Sequence, residues 1–359
     1  MTHQAALQLG ITPRLLAENA SDSAAQAAPQ ATFSHPDTLY SFASDCEVIT
    51  FEHERIDIGL LAALEREAVI IRPGVKTIRA AFDRLHQRRT LSNRGFLVPT
   101  YAELRSPDDV IDFAEKVGYP FVIKTIRSGM PGQSNVWKVP DSHTALRVLA
   151  ENLGRDLMAE EHLDILSELV VLVVRRPGGN IRTYPVAETM IENGSCHTVR
   201  IPASIGDRVA AESVELAERI ASELEAVGVL AVELFVTTKG LVVNELAARP
   251  HNAGHPTIEA AATSQFENHV RAILDLPLGI TTLRSPAVVS INIIGWLDGF
   301  DPAQNLPDAL AVEGVSVHLY GKRPRKSRKL GHITAMGDSF EQAQALARRA
   351  ESALKGRHR

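Results

Sequence analysis

The chain has 359 residues, 45% of them apolar and 23% charged, with a formal net charge of −5, which allows two or three domains and a large buried core. That charge balance gives no global field that selects nucleic acid or an anionic membrane, so polyanion binding would need a local patch. No run approaches the roughly 18 apolar residues of a membrane span and the start lacks a basic, then apolar, leader; the expected address is the cytoplasm.

In chain order, residues 1–90 alternate helix-like and strand-like pieces and predict a small α/β domain. "THQAALQLG" reads as a helix, "CEVITFE" as a short apolar strand and "GLLAALEREA" as a helix. Such a domain normally opens on a buried strand and a Gly-rich turn. Here the first residues already read as the helix that follows, so either that strand is dispensable or the start lies upstream. "DRLHQRRTLS" predicts a helix, "PFVIKTI" and "VWKVP" two strands flanking the loop "RSGMPGQSN", and Ser142 to about Gly154 a further helix. "SELVVLVVRR" and "IRTYPVAETMI" predict two strands joined by "PGGN", whose residues tolerate positive φ. "AAESVELAERIASELEAVG" is an amphipathic helix with Gly228 beyond its end. A hairpin over 227–243 and a helix-rich segment closed by Pro277 and Gly279 follow. The last part predicts the strands "AVVSINIIGW", "VSVHLYG" and "GHITAMG" and an Ala-rich final helix. Cys46 and Cys196 lie far apart with no C-x-x-C spacing, which argues against a disulfide framework or structural zinc and reads both as buried or idle thiols.

The hairpin carries a glutamate in each apolar arm, Glu233 and Glu245. A three-residue loop, Thr238 to Gly240, pairs Thr237 with Leu241 and sets Glu233 opposite Glu245. Like charges directly across a ladder are destabilising, and a shared proton or a hard cation relieves them; Mg²⁺, which takes one or two carboxylates plus substrate phosphates, fits. A loop of different length instead sets Asn244 opposite Glu233 and leaves one carboxylate solvated. The two registers stand even. Beyond the hairpin, "RPHNAGH" holds Arg249, His251, Asn252 and His255; Pro250 and Gly254 make it a loop. In a loop these side chains read as donors to an anionic or polar substrate, or more blandly as surface and capping groups. "KRPRKSRK", Lys322 to Lys329, carries six cations without nearby aromatics; a phosphate-monoester site or a solvated loop suits it better than a nucleic-acid patch.

With Glu233, "NE", "RPHNAGH" and "SQFENHVRAILDLPLG" in order, and with "VITFEHE", "DRLHQ", "VIKT", "RTYPV" and "YGKRPRKSRKLGHIT" elsewhere, the chain resembles the 5-(carboxyamino)imidazole ribonucleotide synthases of the ATP-grasp ligases. The resemblance runs through nearly the whole chain. It implies an ATP-grasp fold of mixed α and β structure: a pre-ATP-grasp α/β domain over 1–82, an ATP-grasp domain over 83–280 and a small C-terminal β-rich domain over 281–359. It implies ATP and Mg²⁺, with Glu233 and Glu245 holding the metal and Asn244 beside them. Lys124 and Arg84 would meet the nucleotide, Gly129 and Gly132 would lie in the loop over its phosphates, Glu160 and Glu161 at the adenine and hinge, and Glu168 at the ribose. Aminoimidazole ribonucleotide would sit against Glu52, Arg249, His251, Asn252 and His255, its phosphate drawn toward Lys322 and Arg328. The implied chemistry phosphorylates bicarbonate to carboxyphosphate and transfers the carboxyl group to the exocyclic amine. Arg249 and Lys124 would supply positioning and charge neutralisation, with no nucleophilic side chain. A homodimer and small-molecule partners, without nucleic acid or membrane, are implied as well.

Several positions depart from the family pattern. The loop over 127–135 keeps Gly129 and Gly132 but lacks two other glycines, an aspartate and a lysine, and Pro131 removes an amide donor. Arg88 stands where a lysine is expected, keeping charge but not shape; a histidine expected near Ile191 is absent, and Ala253 replaces a serine. These departures keep open another ATP-grasp ligase joining a different acid and amine, or a slow or non-catalytic nucleotide-binding homologue.

Overall fold

Strands buried on both faces are continuous apolar runs, and "LVVLVV" from Leu169 to Val174 is the longest in the molecule's centre. The computed structural model describes residues 1–17, 36–53, 56–127, 135–192, 194–297 and 299–356. In the first half of the chain its strands are β1 (Tyr101–Leu104), β2 (Phe121–Thr125), β3 (Val136–Val139), β4 (Leu157–Glu161) and β5 (Ile165–Arg175). The hairpins that follow are β6 (Ile181–Thr183), β7 (Ala187–Glu192), β8 (Ser195–Ile201), β9 (Gly228–Thr237) and β10 (Gly240–Ala247). The last three are β11 (Ala287–Ile294), β12 (Val315–Leu319) and β13 (Lys329–Gly337). A four-stranded sheet has the order β1-β4-β2-β3, and a nine-stranded one β10-β9-β5-β7-β8-β11-β13-β12, with β6 beside β5. Every pairing between these strands is antiparallel.

The large sheet is covered on both sides at β5 and β9. The helix Asp207–Glu223 lays Ala217, Ile220 and Ala221 on Leu169, Val171, Val173 and Val232. On the opposite face Val170, Leu172, Val174 and Ala231 meet Ala272 of the helix Gln265–Ile273. The small sheet buries Phe121 and Ile123 against Val110 and Phe113 of the helix Pro107–Val117 and Val148 of the helix Ser142–Glu151. Strands β11 and β13 continue the large sheet and pack Ile291 and Ile333 under the final helix, Phe340–Lys355. The N-terminal helix Thr2–Gln8 buries Ala5 and Ala6 against Phe266 and Val270, residues far away in sequence.

Three expectations are corrected. "CEVITFE" is not a strand among the described residues: Ile49 makes an isolated parallel bridge with Ile71. Its two ladder bonds, Ile49 N–H to Ile70 O and Arg72 N–H to Ile49 O, engage one edge of the segment, and a run needs extended pairing to count as a strand. "IRTYPVAETMI" is two strands, because Pro185 brings no N–H to the ladder and the chain breaks between Thr183 and Ala187. The hairpin loop is two residues, Thr238 and Lys239, since Thr237 pairs with Gly240.

One buried histidine ties the N-terminal segment to the large sheet. The Val229 N–H donates to His269 Nδ1 (3.0 Å), which leaves the proton on Nε2 to be donated to Thr50 Oγ1 (2.7 Å). Gly228, at φ 98°, has room for no side chain because His269 lies where a Cβ would stand. Burial lowers the His269 pKa from 6.5 to about 4. The unfolded chain therefore binds this proton more readily than the native one, and the His269 contribution to stability, complete above pH 6.5, is lost as pH falls toward 4. That amounts to roughly 3 kcal/mol, to which His332, lowered by burial to about 3, adds with the same sign. Urea unfolding between pH 7.5 and 4.5 is expected to show this loss, and His269→Gln to flatten the slope while lowering stability at pH 7.5.

Candidate active site

On one face of the large sheet the apolar rows of three neighbouring strands give way to carboxylates at the same end. Strand β5 runs Val174, Leu172, Val170 and then Glu168; β9 runs Val229, Ala231 and then Glu233; β10 reaches Glu245 next to Ala247. The two-residue turn sets Leu241 opposite Val236 and Val243 opposite Leu234, a register that would bring Asn244 opposite Glu233. Asn244 is instead an extra residue in a β-bulge, and the bulge restores Glu233 to a position opposite Glu245. Both sequence registers were therefore half right: the loop is the shorter one, and the carboxylates still meet.

The bulge also frees groups for the site. The Asn244 amide Nδ2 donates to Glu233 Oε2 (3.0 Å), its Oδ1 accepts from Lys124 Nζ (3.5 Å), and its carbonyl accepts from Arg88 Nη2 (2.5 Å). Arg84 and Arg88 lie one turn apart on the helix Arg84–Ser92, so they share a face. Each reaches both sheets. Arg84 Nη1 donates to the Thr125 carbonyl of β2 (3.0 Å) and Nη2 to Glu245 Oε1 of β10 (3.2 Å). Arg88, fully buried, donates through Nε to Glu160 Oε1 of β4 (2.8 Å) as well as to the bulge carbonyl. Glu160 Oε2 takes Lys124 Nζ at 2.6 Å. Burial opposes ionisation of Glu160, but the charges of Arg88 and Lys124 outweigh it and hold its pKa below the usual value.

Glu233 is held similarly. Its burial is opposed by His251, whose Nε2 lies 3.3 Å from Oε1, and by Asn244 and Lys124, with a net lowering of its pKa. The Ala253 N–H donates to His251 Nδ1 (3.3 Å), so the ring proton sits on Nε2 and points to Glu233. Gln265 clamps the His251 backbone, accepting from its N–H (2.9 Å) and donating to its carbonyl (2.7 Å). A Cβ on Gly254 would collide with Gln265 and with Leu172, which explains the glycine there. Glu168 faces the same cleft, and its pKa is raised by burial and by the charge of Glu233. Asn252, Ala253, Thr189, Ile191 and Cys196 complete a cleft of about 130 Å³. Burial pushes the Cys196 thiol up, so it stays protonated at neutral pH; it lines the cleft rather than lying idle in the core.

The remaining sequence candidates are dispersed. Glu161 follows Glu160 on β4 and so points to the opposite face, which separates the two glutamates that the resemblance groups at the adenine. Arg249 donates to the Pro250 carbonyl (3.0 Å) and is near enough to His255 and Lys329 to lower the pKa of each. His255 is bonded through Nδ1 to the Tyr320 hydroxyl (2.8 Å), and Lys322 Nζ lies over the Tyr320 ring (5.2 Å). Arg328 donates to the Arg323 carbonyl (3.1 Å) within the basic loop. Glu52 is exposed, in the N-terminal segment. Gly129 and Gly132 lie outside the described residues. Arg88, Gln265, Tyr320 and His332 were missed as site residues. For Arg88 a signal existed, namely its i, i+4 spacing from Arg84.

Two opposed carboxylates and the Asn244 amide oxygen are hard oxygen donors of the kind Mg²⁺ takes. Among the described residues no group of three or more His, Cys, Asp or Glu would hold an ion alone. Two carboxylates leave coordination positions for phosphate oxygens and water, so the residues fit that ion.

A carboxylate-edged cleft on one antiparallel sheet, tied to a second, smaller sheet by buried arginines and a lysine, defines an ATP-grasp enzyme. Residues 89–266 match the ATP-grasp domain family and residues 288–346 the phosphoribosylaminoimidazole carboxylase C-terminal domain. The N5-carboxyaminoimidazole ribonucleotide synthase of Mycobacterium bovis is 41% identical over 365 residues, 98% of this chain and 84% of that one. That of Corynebacterium ammoniagenes is 36% identical over 99% of this chain and 89% of its own. A purK N5-carboxyaminoimidazole ribonucleotide synthetase solved as its ADP complex superposes with a TM-score of 0.90 at 30% identity, covering 97% of this chain and 92% of that one. The Aspergillus clavatus enzyme in complex with ADP and 5-aminoimidazole ribonucleotide gives 0.89 at 29% identity, covering 99% and 95%. The chain belongs to the N5-carboxyaminoimidazole ribonucleotide synthase family.

Removing the carboxylate that balances Arg88 and Lys124 leaves two buried cations uncompensated. Glu160→Ala is expected to destabilise the protein by about 3–5 kcal/mol, read from urea unfolding at neutral pH; a loss below about 1 kcal/mol, the value of an exposed pair, would show that the charges are solvated.

Proposed function

We infer that this chain catalyses the ATP- and bicarbonate-dependent carboxylation of 5-aminoimidazole ribonucleotide to N5-carboxyaminoimidazole ribonucleotide, a ligase reaction of purine biosynthesis. The observation that carries this is the meeting of Glu233 and Glu245 across the Asn244 bulge, faced by Lys124 and Arg84, in a chain 41% identical to a synthase over 98% of its length.

Phosphoryl transfer needs positioning and charge neutralisation more than covalent help from side chains. Lys124, held by Glu160 and Asn244, presents a fixed ammonium to the nucleotide phosphates. Arg84 now lies against Glu245 and is poised to share that carboxylate's field with the nucleotide. Mg²⁺, held by Glu233 and Glu245 with Asn244 beside them, supplies neutralisation of the phosphate charge when bound. Glu168, a carboxyl of raised pKa at the cleft edge, suits the hydroxyls of the ribose. Arg249, His251, Asn252 and His255 form the acceptor side, where the His251 ring is oriented by Ala253 and its backbone is held by Gln265. The basic loop with Lys322 and Arg328 suits the ribonucleotide's phosphate. Glu52 would approach the same substrate from the first domain, and Glu161 the nucleotide from the outer face of β4. The domains divide at 1–82, 83–280 and 281–359; the family matches over 89–266 and 288–346 support that division. We place the enzyme in the cytoplasm as a homodimer; among the described residues no helix is long and apolar enough to cross a membrane.

The test mixes purified protein with ATP, Mg²⁺, bicarbonate and aminoimidazole ribonucleotide. Phosphate release is expected to depend on the ribonucleotide; release that ignores it, or answers to another amine, overturns the substrate assignment. Glu245→Ala is expected to lower that release by at least about a hundredfold and to abolish the thermal stabilisation given by Mg²⁺ with ADP. Full turnover in this variant would remove the hairpin from the metal site.

A further inference from the structure

Behind His255 stands a column of rings that the reaction chemistry does not itself require. Phe266 stacks on His255 (5.7 Å between centroids), His255 lies 4.8 Å from His332, and His332 stacks on His318 at 4.7 Å and 19°. His318 and His332 are directly paired across β12 and β13, and His318 Nε2 meets Glu259 Oε1 at 2.5 Å. The Tyr320 hydroxyl sits between two like nitrogens, 2.8 Å from Nδ1 of His255 and 2.8 Å from Nδ1 of His332.

A single hydroxyl proton can be donated to only one of those nitrogens. The other must carry its own hydrogen and donate to the hydroxyl oxygen, so the two imidazoles are forced into opposite tautomers. His332 decides which is which. The ring is wholly buried, and its Nε2 has no hydrogen-bond partner. A buried N–H without an acceptor is the rarer kind of orphan, so His332 carries its hydrogen on Nδ1 and leaves Nε2 bare. The chain of donors then runs from His332 Nδ1–H to the Tyr320 oxygen and from the Tyr320 O–H to His255 Nδ1. Both imidazoles are kept neutral, His255 by burial, His332 and the nearby cations Lys329 and Arg249, and His332 by burial with His318 and Lys329. The half-buried His255 is left with one donor, Nε2–H.

We propose that Tyr320, backed by His332, is a positioning residue: its hydroxyl locks His255 in the Nε2–H tautomer, so that the ring offers the acceptor substrate a fixed hydrogen-bond donor. The proposal rests on the placement of His255 at the ribonucleotide given above. A carboxyl or phosphate oxygen accepts and cannot donate, and a ring averaging between tautomers would face it with a bare nitrogen for part of the time.

The experiment has two arms on the full chain. Protein labelled with ¹⁵N-histidine is examined by two-bond ¹⁵N–¹H correlation, with the His255 resonances assigned by their disappearance in His255→Gln. The expected pattern is a pure Nε2–H tautomer in the unaltered protein and an averaged one in Tyr320→Phe. In the kinetic arm Tyr320→Phe is expected to raise KM for aminoimidazole ribonucleotide roughly three- to tenfold, with KM for ATP and kcat within about twofold. If Tyr320→Phe does not fold, His332→Gln interrupts the same chain from behind and takes its place in both arms. An Nδ1–H or averaged His255 in the unaltered protein overturns the proposal, as does a lost lock with an unmoved ribonucleotide KM. Absence of any ribonucleotide-dependent turnover in the unaltered protein would instead sink the substrate assignment, while the spectra still decide whether the lock exists.

Discussion

The extra residue at Asn244 is the constraint on which the active site depends. A regular ladder grown from the Thr238–Lys239 turn would put an amide across from Glu233 and send Glu245 to the other face of the sheet, because side chains alternate with a period of two. One inserted residue reverses that, and it leaves a carbonyl outside the ladder that an arginine can collect. The acidic pair, the amide between them and the attachment of the small sheet all follow from this single irregularity. Bulges recur beside active sites for this reason: they re-aim side chains without disturbing the strands on either side.

Around the bulge, charge is balanced before any ligand arrives. Glu160, Glu233 and Glu245 stand against Arg84, Arg88 and Lys124, with His251 as a further donor to Glu233. Isolated charges in such places would be strongly unfavourable, and pairing makes them tolerable rather than greatly stabilising. What pairing supplies here is position. Arg84 and Arg88 each span from the small sheet to the hairpin, so the two sheets are joined beside the acidic pair by fork-shaped groups with several donors. A lysine at position 88 would carry all its donors on one nitrogen, whereas Arg88 spreads its bonds to Glu160, Gln87 and the bulge carbonyl over Nε, Nη1 and Nη2.

Histidine serves in three places for the same property, one ring nitrogen that accepts beside another that donates. His269 joins Thr50 to the start of β9, His251 joins Ala253 to Glu233, and His255 is joined through Tyr320 to His332. In each, a backbone amide or a hydroxyl occupies Nδ1 and so fixes the proton on the other nitrogen. Burial keeps His255, His269 and His332 uncharged well below neutrality, which suits a site whose ligands bring their own negative charge and whose permanent cations are already arginines and lysines.

The sequence by itself determined the long strands, the helix Asp207–Glu223 and the hairpin, because periodicity and turn residues are local signals. It also identified the family, because the ordered motifs span the whole chain. The interrupted strand at Pro185 and the single bridge at Ile49 were misread because pairing partners, not propensity, decide whether a segment is a strand. Tertiary structure alone decided the register at Glu245, where the bulge carbonyl is met by a donor from Arg88, 156 residues away. It alone paired Arg88 with Glu160 across 72 residues and set Tyr320 between His255 and His332. The identity of a charged or aromatic residue says what bonds it can make. Which bond it does make is settled by the partners that the folded backbone brings within about 3 Å of it.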